Sequence, residues 1–365
     1  MGKSMTRMRY LVSLICLTAF LWAGAAGLGA EPARDLRLAL AVTTPTVNPP
    51  STSLFLYDIA TQSRTDLYVD SSVDRRVIVK IAGSDIVGAG RAVRERDIYV
   101  MMGPATVDSA GACADTLSRL RLAGGGSNWE PIFPVPLCFS DASPYGLWNR
   151  APIFAIDQSQ GRVALPALRV GETKLEIPSI RVLSATGAEE WRFPLPGRWL
   201  YITDLAWSPN GKHLAYAVLP EGDEHTLDES QLPSAGVYLA DIETRTTRLI
   251  YRCYADALAW GPQPGQITIA ARPKDIWGPA SVIRVIAVPD GNKVEEFSAP
   301  AAIQALSYTD DAQWLAVQSV VASGQVVSLY PASGGWARQV YELPAGQGRL
   351  ALLGWVRADG GTDEP

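Results

Sequence analysis

The chain has 365 residues, of which 47% are hydrophobic and 19% charged, and its aromatic residues are spread over the whole length. Such a composition can bury a sizeable core, which excludes a disordered polymer. The formal net charge is −5, and with Lys3, Arg7 and Arg9 set apart the rest carries 29 basic against 37 acidic side chains, so a nucleic-acid partner is not expected.

Taken in chain order, residues 1–30 read first as a secretory signal peptide. Three basic residues precede the largely apolar run Leu11–Trp22, and Ala23-Gly24-Ala25 and Leu28-Gly29-Ala30 offer small residues for cleavage. The alternative is an uncleaved anchor, since Leu11–Ala30 is long enough to span a bilayer with the basic end inside. Both readings place the folded part, expected over residues 31–358, in an extracytoplasmic location: periplasmic, cell-surface or secreted. Residues 359–365 form a short polar tail.

Leu36–Val42 is an apolar strand with no inner strand before it. Leu56-Tyr57-Asp58-Ile59-Ala60-Thr61 reads as a hairpin, and the same pattern returns in Leu239-Ala240-Asp241-Ile242-Glu243-Thr244. Looser hairpins turn near Gly125, Gly187, Gly291 and Gly334. Leucine, small residue, aromatic recurs at Leu205-Ala206-Trp207, Leu258-Ala259-Trp260, Leu306-Ser307-Tyr308 and Leu353-Gly354-Trp355, at spacings of 53, 48 and 47 residues. Short strands at such a period, punctuated by Gly and Pro, predict an all-β chain forming a single β-propeller. Six four-stranded blades are expected, seven being the alternative, with the terminal strands Leu36–Val42 and Leu350–Val356 sharing one blade.

The stretch Asp204-Leu205-Ala206-Trp207-Ser208-Pro209-Asn210-Gly211-Lys212-His213-Leu214-Ala215-Tyr216 resembles the repeat of the TolB-like, WD-repeat-like propellers. The second copy keeps Trp260 and Pro262, and the third keeps Tyr308 and Leu315-Ala316 without the Pro-Asp-Gly turn. The resemblance implies a propeller fold. It is not expected to extend to TolB itself, which carries an additional amino-terminal domain, nor to the propeller peptidases, because no Gly-x-Ser-x-Gly elbow is present.

In a four-stranded blade the loops between the second and third strands share one face with the blade-to-blade connections. Thr43–Ser53, Pro104–Thr116, Pro131–Pro144, Pro220–Ala235 and Arg272–Ala280 are long segments assigned to that face, which makes it the expected binding surface. Cys113 and Cys138 fall in two of these segments and are expected to form a disulfide in an exported chain. Cys253 is left over and reads as a buried thiol beneath Tyr251 and Tyr254. His213 and His225 are the only histidines, too few for a zinc-hydrolase or Ser-His-Asp mechanism, and the run Glu221–Glu229 lacks the ligand spacing of a calcium loop.

One constellation bears on chemistry. Asp85, Asp141, Asp204 and Asp256 are each expected just before the inner strand of successive blades, so they are candidate metal ligands at the channel mouth, with calcium as the cation. Their plainer role is to bond local backbone N–H groups at a strand start. Trp129, Trp148, Trp199 and Trp277 near the same loops are candidates for stacking on a ligand or for blade packing. The expected function is therefore a non-catalytic binding module for a protein or cell-envelope ligand, acting through the long-loop face and channel mouth, with no cofactor and no catalytic residue. Membrane contact is expected only through an uncleaved amino-terminal segment. The alternative is a metal-dependent propeller hydrolase, a lactonase or phosphoesterase.

Overall fold

The computed structural model describes residues 36–44, 51–69, 76–82, 97–104, 115–123, 126–135, 154–157, 159–167, 179–197, 200–220, 234–261, 263–273, 278–299, 301–309, 311–332 and 335–357. Their regular structure consists of strands. The first three are β1 (Leu36–Thr44), β2 (Ser51–Asp58) and β3 (Ser63–Val69), followed by β4 (Arg76–Ala82), β5 (Asp97–Pro104), β6 (Asp115–Ala123) and β7 (Gly126–Val135). Next come β8 (Ala155–Ile156), β9 (Val163–Ala167), β10 (Ser179–Leu183) and β11 (Glu189–Pro194). The repeat region supplies β12 (Leu200–Trp207), β13 (His213–Pro220), β14 (Gly236–Asp241) and β15 (Thr246–Tyr251), then β16 (Ala255–Trp260), β17 (Gln266–Ala271), β18 (Val282–Ala287) and β19 (Lys293–Ser298). The last are β20 (Ala302–Tyr308), β21 (Trp314–Val321), β22 (Gly324–Pro331), β23 (Arg338–Pro344) and β24 (Arg349–Arg357).

Consecutive groups of four make antiparallel sheets, except that the first sheet has the order β24-β1-β2-β3. Leu38 pairs with Trp355 and Val42 with Leu350, so the two ends of the propeller are joined by backbone hydrogen bonds and neither terminal strand is left as an open edge. The first strands of neighbouring sheets lie beside one another in the succession β8, β12, β16, β20, β24, β4.

The expectation of six or seven regular four-stranded blades is corrected. Among the described residues, five sheets contain four full strands, each of at least six residues, whereas the sheet β8–β11 is irregular. Its innermost strand is only Ala155–Ile156 and pairs with β9 through Ala155–Ala164 and Ile156–Val163. The shortening lies at the start of the strand, where Phe154 stands outside the ladder, whereas its end is regular: Asp157 N–H donates to Arg162 O and Gly161 N–H to Asp157 O, as Ser208 N–H does to His213 O and Gly211 N–H to Ser208 O after β12.

The repeated aromatic has a structural explanation. Trp207 Nε1 donates to Ala155 O (3.1 Å), Trp260 Nε1 to Ala206 O (3.0 Å) and Trp355 Nε1 to Ser307 O (3.2 Å), in each case the backbone of the preceding sheet's inner strand. Tyr308 has no indole and instead shares a hydrogen bond with Thr268 Oγ1 (2.9 Å). Each aromatic therefore buries its ring between two sheets while its polar atom satisfies a buried partner, worth about 1 kcal/mol net per bond beyond the apolar burial.

The turns repeat as well. Ser208 Oγ accepts from His213 N–H and donates to Asn210 Oδ1, which accepts from Lys212 N–H. Thr309 and Asp311 reproduce that network toward Trp314 and Gln313, so the third copy retains the turn geometry without the Pro-Asp-Gly letters. The matched hairpins at Asp58 and Asp241 are also one structure: each carboxylate accepts from the backbone N–H of the Thr three residues on, and Gln62 and Arg245 take φ of 53° and 54°.

Those two turns predict a pH response. The Thr61 N–H holds the Asp58 carboxyl below the usual carboxylate range, and the Thr244 N–H does the same for Asp241. A depressed folded pKa contributes stability that is complete above the unfolded value near about 4 and is lost as pH falls through the lower folded value. Asp58→Asn combined with Asp241→Asn is therefore expected to flatten the loss of stability between pH 5 and pH 3. Urea midpoints across that range check it, and an unchanged acid slope would refute the assignment.

Candidate functional site at the inner strands

The innermost strand of each sheet is hydrogen-bonded along one side only, so its other backbone edge needs partners. Neighbouring side chains supply them. Thr203 Oγ1 donates to Ala255 O (2.7 Å), and Asp204 Oδ2 accepts from Leu258 N–H (2.8 Å) while its Oδ1 accepts from Leu205 N–H (2.9 Å). Gln318 Nε2 donates to Leu350 O (2.8 Å), and its Oε1 accepts from Leu352 N–H (2.7 Å). The channel side of the described inner strands is thus a set of blade-to-blade staples.

Three inner strands carry a β-bulge at the same level, four residues before the repeated aromatic. The extra residues are Thr203 in β12, Asp256 in β16 and Gln304 in β20. Their chemistry differs from strand to strand. Thr203 is buried, Asp256 is held by Arg272, and Gln304 is exposed and accepts from Gln318 Nε2 (3.0 Å). Arg272 approaches Asp256 with two nitrogens, Nε to Oδ2 (2.9 Å) and Nη2 to Oδ1 (2.7 Å). Burial alone would lower the Arg272 pKa, but the Asp256 carboxylate outweighs it and the net shift is upward, so the guanidinium remains charged.

The four candidate aspartates do not occupy one structural position. Asp204 and Asp256 lie inside β12 and β16 rather than before them, and they differ in phase: Asp256 corresponds to Thr203, and Asp204 to Ala257. Asp85 and Asp141 are outside the described residues. In sequence Asp85 follows β4, on the opposite side of that strand from the expected one, and Asp141 falls between β7 and β8. Among the described residues no three His, Cys, Asp or Glu side chains gather to hold a metal ion.

The remaining candidates separate similarly. Cys113 and Cys138, and with them the expected disulfide, lie outside the described residues, as do residues 1–30, His225, Trp148, Trp199, Trp277 and the tail 359–365, whereas Trp129 lies in β7 opposite Leu120. His213 is on the hairpin side, 3.6 Å from Asp241 and away from the start of the inner strands. Cys253 is half-buried against the apolar cluster of the β16–β19 sheet, and that burial pushes its thiol up to about 12. A thiol so shifted is not a ready nucleophile at neutral pH.

The topology does group the long segments. The intervals β1–β2, β5–β6, β7–β8, β13–β14 and β17–β18 all join strands at the end where the inner strands begin. The expected bounds shift slightly, because Thr43–Thr44 and Ser51–Ser53 belong to β1 and β2, and Pro131–Val135 belongs to β7. The interval between β9 and β10 is a further long segment at this end that sequence reasoning missed. Sequence reasoning also missed Arg272 as the partner of Asp256 and Gln304 as its counterpart. Counting four residues back from each repeated aromatic would have found the bulge series.

Asp204→Ala removes the acceptor for two backbone N–H groups, one of them in the next sheet. The expected cost is about 1–3 kcal/mol, identical in chelator and in millimolar calcium. Thermal unfolding under both conditions checks this, and a loss seen only with calcium would instead identify Asp204 as a ligand.

No family model matches the chain, and no curated protein matches it in sequence. Solved structures do resemble it. TolB from Acinetobacter baumannii superimposes with a TM-score of 0.57 at 12% identity, covering 89% of this chain and 67% of that one. A TolB-assigned structure from Agrobacterium tumefaciens gives 0.51 at 14% identity, over 87% and 93% of the two chains. A chain of a nidogen/laminin complex gives 0.52 at 11% identity, over 88% and 97%. These likenesses identify a TolB-like β-propeller fold.

Proposed function

We propose that this propeller is an extracytoplasmic, non-catalytic binding module that takes a protein or cell-envelope ligand on its long-loop face. The observation that carries the reading is the convergence of six long segments on one end of a rigid sheet scaffold. The polar groups beneath them support it. Asp204, Asp256, Arg272 and Gln318 act within and between sheets, where they give the loops a fixed platform. A similarly folded chain occurs in a nidogen/laminin complex, an assembly of proteins.

Photo-crosslinking residues placed at Ser323, in the turn between β21 and β22 on the long-loop side, and at Gln304 are expected to capture an envelope component. Equivalent probes at Asn210 and Glu243 on the hairpin side are expected to capture no such component. Capture only from the hairpin side would overturn the reading. Turnover of a lactone or phosphoester that requires calcium would replace it with the metal-dependent hydrolase.

A further inference from the structure

The turn between β12 and β13 holds a chemically reactive pair of residues. Asn210 is exposed and is followed by Gly211, and an asparagine carboxamide is open to attack by the backbone nitrogen of the residue after it. Glycine hinders that attack least, having no Cβ. The hydrogen bonds of this turn favour one half of the reaction and oppose the other. The Asn210 side-chain oxygen is identified by its donors, because it accepts from Ser208 Oγ (2.8 Å) and from Lys212 N–H (3.0 Å). Negative charge develops on that oxygen during attack, so two donors there make the carbon beneath it a good electrophile.

The nucleophile is withheld. Gly211 N–H donates to Ser208 O (2.8 Å), and Gly211 O accepts from Arg162 Nη2 (2.6 Å), a nitrogen that also bonds Asp157 in the preceding sheet. Gly211 is buried at φ of +67°, and even one added carbon there would come within 2.7 Å of Asp157 Oδ1 and would meet Ser159 Oγ. To reach the Asn210 side-chain carbon, the Gly211 nitrogen has to leave Ser208 O and swing toward it. There is no room for that movement while the β8–β11 and β12–β15 sheets stay in contact at this turn.

We propose that Asn210–Gly211 is a deamidation site gated by the Asp157–Arg162–Gly211 contact between the two sheets. When the contact opens, the Gly211 nitrogen bonds to Asn210 Cγ, its proton leaves with the side-chain nitrogen as ammonia, and a cyclic imide remains. Water then breaks one of the two C–N bonds of the imide. Breaking the new bond leaves an aspartyl residue, which the turn accommodates, because in the β20–β21 turn Asp311 accepts in the same way from Thr309 Oγ1 and Gln313 N–H. Breaking the original backbone bond leaves an isoaspartyl residue, whose extra backbone carbon displaces Gly211 from Arg162. The modification is a chemical record that the hairpin end of these two sheets has opened.

The test follows the full chain at mildly alkaline pH by peptide mapping and mass spectrometry, with and without urea. Conversion at position 210 is expected to be slower in the folded chain by about tenfold or more, since only open molecules react. Arg162→Met is expected to speed it several-fold in buffer and to match the parent in urea, where the contact is already absent. Isoaspartate formation at Asp290–Gly291 separates local opening from general unfolding, because that hairpin belongs to another sheet and has its own bond from Gly291 N–H to Ala287 O. Arg162→Met is expected to leave it unchanged. Equal rates for the folded and unfolded parent, no conversion in urea, no acceleration in Arg162→Met, or a parallel rise at both hairpins would each overturn the proposal. Hydrogen exchange of the Gly211 amide gives a readout free of the covalent chemistry: it is expected to be protected in the parent, and exchange at the unfolded rate would also overturn the gate.

Discussion

Replacing Arg162 by methionine is expected to lower stability by about 3–5 kcal/mol, the usual cost of stranding one member of a buried ion pair. Asp157 is fully buried, and Arg162 reaches its Oδ2 through Nε (2.7 Å) and Nη2 (2.5 Å). Arg162 Nη2 also donates to Gly211 O (2.6 Å) in the turn of the next sheet, and its guanidinium lies 4.8 Å from the centre of the Trp207 ring. One side chain thus joins the irregular β8–β11 sheet to the strongest copy of the repeat. Methionine keeps the stem and loses every donor, leaving Asp157 with Ser159 alone: its N–H and Oγ at 2.9 and 2.7 Å. The midpoint of thermal unfolding should fall by roughly 10 °C. A double replacement, Asp157→Leu with Arg162→Met, is expected to recover part of that loss, because no charge is then stranded. A single variant within about 1 kcal/mol of the parent would show that the pair is not the lock between these sheets.

Gly291→Ala is expected to cost about 3 kcal/mol or more. Gly291 turns the β18–β19 hairpin with φ of +71°, and a Cβ there would come within 1.8 Å of Ile250 O in the neighbouring sheet. The obstacle is backbone in strand β15, so relief requires one hairpin to withdraw from the other. Gly346→Ala is the control. Its φ is +82°, but nothing lies within 4 Å of the added methyl, so only the conformational penalty of about 1 kcal/mol applies. Urea midpoints for the two variants separate crowding from backbone strain, and equal losses would mean that the sheets do not touch as closely as described.

The lesson for the site lies in Asp204 and Asp256. In sequence both stand just before a Leu-small-aromatic motif, but Asp204 is three residues from its tryptophan and Asp256 four. Both strands bulge at the fourth residue before the tryptophan, so Asp256 is itself the bulged residue while Asp204 comes just after the bulged Thr203. Their partners are equally remote from local reading: Asp204 bonds Leu258 and Asp256 bonds Arg272, in strands brought together by the ring and by the antiparallel return of the chain.

Other features were legible because their causes are local. The hairpins at Asp58 and Asp241 depend on a carboxylate and a threonine three residues apart, and the aromatic recurs because every pair of sheets poses the same packing problem. Strand alternation and turn chemistry act over a few residues, so the sequence by itself determined an all-β repeat fold and the end of the sheets at which the long segments emerge. Only the tertiary structure decided that β8 is a two-residue strand, that the third repeat keeps its turn through Thr309 and Asp311, and that Trp336 is left in water. The Thr309–Asp311 turn is held by local bonds that its letters conceal, whereas the exposure of Trp336 depends on which surfaces neighbouring elements cover, and that is a property of the assembled ring.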